Sequence, residues 1–273
     1  MSSDSAAINV EKWRQWVNAG CVWTVPIAHN EFQDFLHGDG DLVLATQAPI
    51  PREWYMPLKG KQVVGLACGG GQQVPYLIAQ GAIVTVCDIC PEQLGIEQEL
   101  AIREGYEVSC IECDISEGLP FDNEIFDLAI NPVSVSYIEE VENVWRECFR
   151  ILKPGGVLLT AFPNPDIYSL ELDNETCVLR RPLPFSPKDL REDDARIRLI
   201  KTDGMQFSHS LEKLIGGQTS AGFSIVGFLE DRHFSCDHDM NYDTFIGAVA
   251  SKSAKYIPTY FLTRAIKPER RRI

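Results

Sequence analysis

The sequence predicts a doubly wound, mostly parallel α/β sheet of seven strands. From Lys61 to Ala221, β-branched runs alternate with amphipathic runs across short connections. The first strand breaks into three consecutive glycines before a helical pattern, in VVGLACGGGQQVPYLIAQG at 63–81. Parallel strands need crossovers that return the chain over the sheet, and a helix in each crossover covers one face or the other.

Each element follows from local pattern. Lys61 to Ala67 reads as a buried strand, Gln72 to Gln80 as a helix and Ala82 to Asp88 (AIVTVCD) as the second strand. Pro91 to Glu104 is a helix with Pro at its first position and Glu92 in its first turn. Tyr106 to Asp114 and Phe126 to Ile130 are the third and fourth strands. Ser136 and Glu139 read as a capping box for a helix that puts Val141, Val144, Trp145, Cys148, Phe149 and Leu152 on one face. Pro154, Gly155 and Gly156 stop that helix, and Val157 to Phe162 is the fifth strand. Alternation pauses from Pro163 to Phe207, an insertion, and resumes as a helix over Leu211 to Ala221. The last strands are Phe223 to Leu229 and Thr259 to Ile266. No helical pattern is read just before the final strand, which hints at antiparallel insertion.

Composition bounds the function. The 273 residues, 45% hydrophobic and 23% charged, suffice for one large globular domain with additions. No apolar stretch reaches the roughly 18 residues of a membrane span, and the start lacks a signal-peptide pattern. Nine scattered cysteines, an odd number, suit reduced thiols, so a cytoplasmic location is expected. A net charge of −14 would repel a phosphate backbone, which makes long nucleic acid an unsuitable partner and a small molecule the expected one. The basic cluster from Lys267 to Arg272 reads as a solvated tail.

In such sheets ligands sit beyond the carboxyl ends of the strands. Missing side chains at Gly69, Gly70 and Gly71 let a ligand lie against the backbone and the next helix's N-terminus. Asp88 ends the second strand, where a carboxylate can receive ribose hydroxyls, and Asp114 ends the third, within reach of an adenine amino group. Together they describe an adenosine site. A dinucleotide fingerprint would need its third glycine at Val74, which weakens a nicotinamide-dependent oxidoreductase as the alternative.

These residues resemble class I S-adenosylmethionine-dependent methyltransferases. VVGLACGGGQQ is similar to the family's first motif, CDICPEQL to its second and CDISEGLPFDNEIFDLAI to its third and fourth. RILKPGGVLLTAF, SLEKLIGGQTSAGFSIVGFLED and TYFLTRAIKP resemble the stretches that form its fifth to seventh strands. Longer phrases such as NPVSVSYIEEVENVWRECFRILKPGG look like a bacterial subgroup of unassigned substrate. The resemblance covers about 61–268 without the insertion and implies a Rossmann-like methyltransferase fold, with residues 1–60 as an N-terminal helical lid, 163–207 as an insertion or cap and 269–273 as a tail. It also implies S-adenosyl-L-methionine as cofactor and a small-molecule methyl acceptor whose reacting atom is unassigned. A non-catalytic protein that only binds the cofactor is the rival reading.

The resemblance places Ala67 and Gly69 against the cofactor through their backbone, in a turn that includes Gly71. Asp88 would take the ribose and Asp114 the adenine, with Ile89 and Ile115 around the ring. The chain departs from the pattern in two places: Gly65 replaces the acid late in the first strand, and Ala67 replaces the turn's first glycine. Gln72 and Gln73 are polar substitutes for the lost acid. Beyond the fourth strand Asn131, Ser134, Ser136 and Tyr137 face the acceptor; Asn131 serves cofactor or catalysis, Tyr137 catalysis, and His209 is a candidate general base, ahead of His29 and His37. Asn131-Pro132-Val133-Ser134 lacks the aromatic that amino-group methyltransferases carry in Asn-Pro-Pro-aromatic. Trp13, Trp16, Trp23, Phe32, Phe35 and Trp54 read as a lid or as packing. Cys87, Cys90, Cys110 and Cys113 have zinc-like spacing, but strand residues three apart point to opposite faces, so no metal is expected.

Overall fold

The computed structural model describes residues 4–174, 176–190, 194–231 and 244–270. Of the basic cluster expected to be a solvated tail, Lys267 is instead buried, its Nζ donating to the carbonyls of Phe149 and Leu152 at 2.8 and 2.9 Å, and Arg270 pairs with Glu124; Arg271 to Ile273 lie outside the described residues. Two helices, α1 (Asp4–Ala19) and α2 (His29–Leu36), precede the sheet. Then come β1 (Gln62–Leu66), α3 (Val74–Ala79), β2 (Ile83–Asp88), α4 (Pro91–Glu104), β3 (Ser109–Glu112), β4 (Phe126–Asn131), α5 (Val141–Ile151) and β5 (Leu152–Pro163). The inserted region holds a hairpin, β6 (Leu170–Asp173) and β7 (Thr176–Leu179), and α6 (Asp194–Asp203). A π-helical turn (Glu212–Gly216) leads into α7 (Gly217–Ser220), followed by β8 (Ser224–Asp231), α8 (Phe245–Ser253) and β9 (Tyr260–Ile266).

Seven strands form one sheet in the order β3-β2-β1-β4-β5-β9-β8. All pairings are parallel except those of β9, which runs antiparallel between β5 and β8. The strand order reverses between β1 and β4, which opens a crevice at their carboxyl ends. Alternate residues of β1 feed two cores: Val63 packs with Tyr76, Leu77 and Leu100, whereas Val64 and Leu66 pack with Trp145, Leu158 and Phe162. The wholly buried Trp145 also donates from Nε1 to the carbonyl of Lys213 at 3.0 Å, tying α5 to the π-helical turn. Truncating an aromatic so placed costs about 3–5 kcal/mol.

Three local expectations are corrected. Ser136 does not cap α5: it sits in a 3-10 turn (Val135–Tyr137), α5 starts at Val141, and no side chain caps it. That turn is stitched instead to the late chain, because the amide of Phe207 donates to the carbonyl of Ser136 at 2.6 Å. Pro154 to Gly156 do not separate α5 from β5, which starts at Leu152; Gly155 adopts φ +78 and its amide donates to the carbonyl of Lys267 at 2.8 Å. The final strand is antiparallel, but a helix, α8, does precede it. An antiparallel neighbour needs no crossover on the sheet, so α8 is free to lean over the strand ends instead.

Candidate functional site

A cavity of about 730 Å³ lies over the carboxyl ends of β1, β2 and β4. Its floor is the glycine turn. Ala67, Cys68, Gly69, Gln73, Asp88, Ile89, Asp114 and Ile115 all line it. Ala67 adopts φ +47, the left-handed region that L residues enter at a cost of about 1–2 kcal/mol and that a glycine would enter freely. At Gly69 a Cβ would stand 2.8 Å from Cβ of Gln93 and 3.1 Å from Oδ2 of Asp88, so only glycine fits.

Two buried carboxylates fasten this turn. Asp88 accepts from the amide of Gly69 at 3.0 Å and from that of Cys90 at 2.9 Å. Glu97, on α4, accepts from the amide of Gly71 at 2.9 Å and from the hydroxyl of Tyr106 at 3.0 Å. Burial pushes Asp88 up to about 6 and Glu97 up to about 7, against the opposing pull of those donors. Gly71 therefore differs from its sequence assignment. It does not line the cavity, and a Cβ there would stand 2.6 Å from Leu100 and 2.9 Å from Pro26, so its role is to let the N-terminal arm close on the turn.

Gly65 also finds its reason. A Cβ on it would lie 3.0 Å from Sγ of Cys68, a thiol that occupies the space beside β1 and that burial holds undissociated. Cys68 donates to Oε1 of Gln73 at 3.7 Å, and Gln73 donates to the carbonyl of Val43 at 3.3 Å. Gln72 braces the arm through the carbonyls of Val22 and Val25.

Asp114 has one occupied and one free oxygen. Oδ1 accepts from the amide and hydroxyl of Ser116, at 2.9 and 2.6 Å, whereas the buried Oδ2 has no partner. An orphaned buried carboxylate oxygen on a cavity wall fits an amino donor such as that of adenine. Asp88 keeps unused lone pairs on oxygens that each accept one bond, which fits ribose hydroxyls. Gln93, beside the glycine turn, also lines the cavity with its buried Oε1 unpartnered, and sequence reasoning missed it. Its signal is faint: a glutamine in the first turn of α4.

The candidates beyond β4 divide. Asn131 lies beneath the cavity and does not line it. Its Nδ2 donates to the carbonyl of Leu66 and to Ser134 Oγ at 2.9 and 2.8 Å, and its Oδ1 accepts from Thr160 at 3.1 Å. Both amide protons and the carbonyl oxygen are engaged in locking β1, β4 and β5 together, and the wholly buried side chain does not reach the cavity, which takes it out of catalysis and cofactor contact. His209 is likewise off the cavity: Nε2 donates to the carbonyls of Ile138 and Val135, at 2.8 and 3.2 Å, and burial lowers its pKa. A ring nitrogen shared by two carbonyls must carry a proton, so Nε2 is a donor, and the neutral ring's position off the cavity keeps it from a base's role there. His29 pairs with Glu104 and His37 with the carbonyl of Gln33. Tyr137, Ser134 and Ser136 do line the cavity, and burial raises the Tyr137 pKa well above its ordinary value.

The aromatic set also divides. Trp13, Trp16 and Trp23 line the cavity, with Trp13 and Trp16 edge-on at 4.9 Å and Trp13 edge-on to Tyr137 at 5.6 Å. Phe32 and Phe35 are core, and Trp54 packs against the backbone of Gly227. Arg14 anchors α1 to α4 through Glu92 at 2.6 Å, and Asn9 anchors it through the carbonyls of Tyr137 and Met205. Tyr168, Gln206 and Tyr260 from the late chain, and Ile246 of α8, complete the wall; none was legible in the sequence. The four cysteines of zinc-like spacing pack on different faces. Cys110 belongs to the core of Val63, Cys87 and Cys113 to that of Val64, and Cys90 donates to Glu92 at 3.3 Å.

A seven-stranded sheet with an antiparallel seventh strand and an adenosine-shaped floor defines a class I methyltransferase domain. A family model described as "Methyltransferase domain" matches residues 64–160. "Uncharacterized methyltransferase YbaJ" of Bacillus subtilis (strain 168) is 32% identical over 96% of this chain and 98% of its own length. A "Ubiquinone biosynthesis O-methyltransferase" of Rhizobium johnstonii is 31% identical over 68% of this chain and 72% of its own. The solved S-adenosylmethionine dependent methyltransferase of Mesorhizobium loti shares the fold, with a TM-score of 0.59 at 16% identity over 79% of this chain and 94% of that one. The chain belongs to the S-adenosylmethionine-dependent methyltransferase family. It is an enzyme of that class with S-adenosylmethionine as cofactor, which sets aside the nicotinamide alternative.

Proposed function

We propose that the protein methylates a small, largely apolar acceptor held between α1 and the end of β4. The observation that carries this reading is the wall of the cavity away from the glycine turn, where Trp13, Trp16, Tyr137, Tyr168 and Ile246 converge. An apolar wall with few polar groups is how sites recognise small molecules. At −14 the chain's charge favours such an acceptor over a polyanion. In this reading residues 1–60 act as the lid and 163–207 as a wall of the acceptor site. The nine cysteines support a reducing cytoplasm as its location.

Asp88 would hold the ribose, Asp114 the adenine amino group and Ile89 and Ile115 the ring faces, with the backbone of Ala67 and Gly69 against the remainder and Gln73 toward the methionine end. S-adenosylmethionine supplies an activated methyl group on a sulfonium. The chain's own contribution is then position and exclusion of water: α1 roofs the site and Tyr137 stays neutral, so orientation supplies the rate.

Calorimetry with S-adenosylhomocysteine tests the cofactor half, and transfer of labelled methyl to a panel of apolar hydroxy and amino compounds tests the acceptor half. Asp114→Ala should weaken S-adenosylhomocysteine about tenfold. Undiminished binding by that variant, or label transfer confined to charged acceptors, would refute the reading.

A further inference from the structure

A hydrogen-bond chain of fixed direction ends at the acceptor wall. The hydroxyl of Tyr168 donates to Oε1 of Gln206 at 2.7 Å. Nε2 of Gln206 donates to the carbonyl of Asp203 and to the hydroxyl oxygen of Tyr137, both at 3.1 Å. A carbonyl only accepts, so Asp203 determines which end of the Gln206 amide is nitrogen. That nitrogen has only protons to offer, so the Tyr137 oxygen is obliged to accept. Its own proton finds no acceptor among the described residues and is left to the cavity that Tyr137 lines.

The position of this hydroxyl is held as firmly as its direction. Nδ2 of Asn9 donates to the backbone carbonyl of Tyr137 at 3.0 Å, and the rings of Trp13 and Trp16 stand edge-on at 5.6 and 6.4 Å. A phenol donor left unpaired in a largely apolar wall is unfavourable, and a matching acceptor on a ligand relieves it.

We propose that Tyr137 is the specificity-determining donor of the acceptor site, and that the acceptor molecule is an apolar skeleton carrying a carbonyl-type oxygen that receives the Tyr137 proton. This rests on the methyl-transfer reading above. It assigns Tyr137 to recognition, and the methylated atom is a different one: a nucleophile whose lone pair was engaged by a donor would be the poorer nucleophile. A base role is closed to Tyr137 because its buried phenol stays protonated.

The test uses the full chain saturated with S-adenosylhomocysteine and two isosteric probes, acetophenone and ethylbenzene, followed by equilibrium dialysis. The wild type should bind the ketone about 3- to 10-fold more tightly, the yield of one neutral hydrogen bond. The carbonyl stretch of the bound, ¹³C-labelled ketone should fall below its frequency in hexane. Tyr137→Phe should erase both the preference and the frequency shift while S-adenosylhomocysteine affinity stays within about twofold. Gln206→Glu should erase them too, because its carboxylate would capture the Tyr137 proton; a merely structural role for Tyr137 predicts no such loss. Equal affinity for the two probes in the wild type, a preference that survives either substitution, or no binding of either probe to the S-adenosylhomocysteine complex would overturn the proposal. Failure of S-adenosylhomocysteine itself to bind would instead refute the methyl-transfer reading.

Discussion

The amide of Gly69 donates to Oδ2 of Asp88 across 3.0 Å, so the carboxylate that ends β2 also fastens the turn that ends β1. Oδ1 is engaged as well, by the amide of Cys90 at 2.9 Å. Asp88→Asn keeps one acceptor oxygen and Asp88→Ala keeps none. S-adenosylhomocysteine affinity should therefore fall in steps, about tenfold for Asn and about 100-fold for Ala, since hydrogen bonds to a charged group contribute about 1.5–3 kcal/mol each. Calorimetry on the three proteins reads the steps, and equal affinities would remove Asp88 from the site.

Stability should decline from acid toward neutral pH through the same turn. Burial raises Asp88 from 3.8 to about 6 and Glu97 from 4.5 to about 7, so the folded state holds protons that the unfolded chain has released. Stabilisation from this pair is complete below about pH 4 and is lost as pH rises through 6 and then 7. Between pH 5 and 8 the loss is roughly 2–4 kcal/mol at about 1.4 kcal/mol per unit. Urea unfolding at pH 5, 6.5 and 8 should show it, and Glu97→Gln should flatten the decline by about two-thirds. A wild type whose stability rises over that window would contradict the buried-acid account.

Gly65 and Cys68 should behave as one unit. Restoring the family's acid as Gly65→Asp brings a Cβ to 3.0 Å from Sγ and 3.1 Å from Cβ of Cys68, and overpacking of this kind costs about 1–3 kcal/mol. Adding Cys68→Gly removes both obstructing atoms, so the double variant should be less destabilised than the sum of the singles, with a coupling of about 1 kcal/mol. Additive losses in urea would show that the thiol is not what excludes a side chain at 65.

His209 should matter to folding and not to chemistry. His209→Gln forfeits at least one of the bonds to the carbonyls of Ile138 and Val135, at a cost of about 1–2 kcal/mol in unfolding free energy. Burial lowers its pKa and leaves the imidazole neutral at pH 7, and it does not line the cavity. The pH profile of methyl transfer by the variant should overlay that of the wild type once folded fractions are matched. A lost limb of the profile would return His209 to the candidate bases.

The cofactor side was legible because its signals are local. A strand running into glycines, and acids at the ends of the next two strands, occupy positions fixed by a repeating unit, so spacing along the chain predicts spacing in the crevice. The acceptor side was less so: Asn131 and His209 have catalytic side-chain types at suggestive positions, and only the tertiary structure shows that both lie off the cavity with their polar groups turned to other partners. Gln206 and Tyr168 stand 38 residues apart in the insertion, where no periodicity marks them, yet they direct the Tyr137 hydroxyl.

By itself the sequence determined the doubly wound fold, the glycine turn and the carboxylates Asp88 and Asp114, because hydrophobic period and turn chemistry act between near neighbours. Only the tertiary structure decided that Gly71 serves packing, that Asn131 and His209 are spent on backbone and strand ends, and that Trp13, Trp16 and Tyr137 share a wall. Those outcomes depend on which side chains meet across more than a hundred residues, as Asn9 does with Tyr137, and hydrogen-bond capacity is consumed by whichever partner arrives.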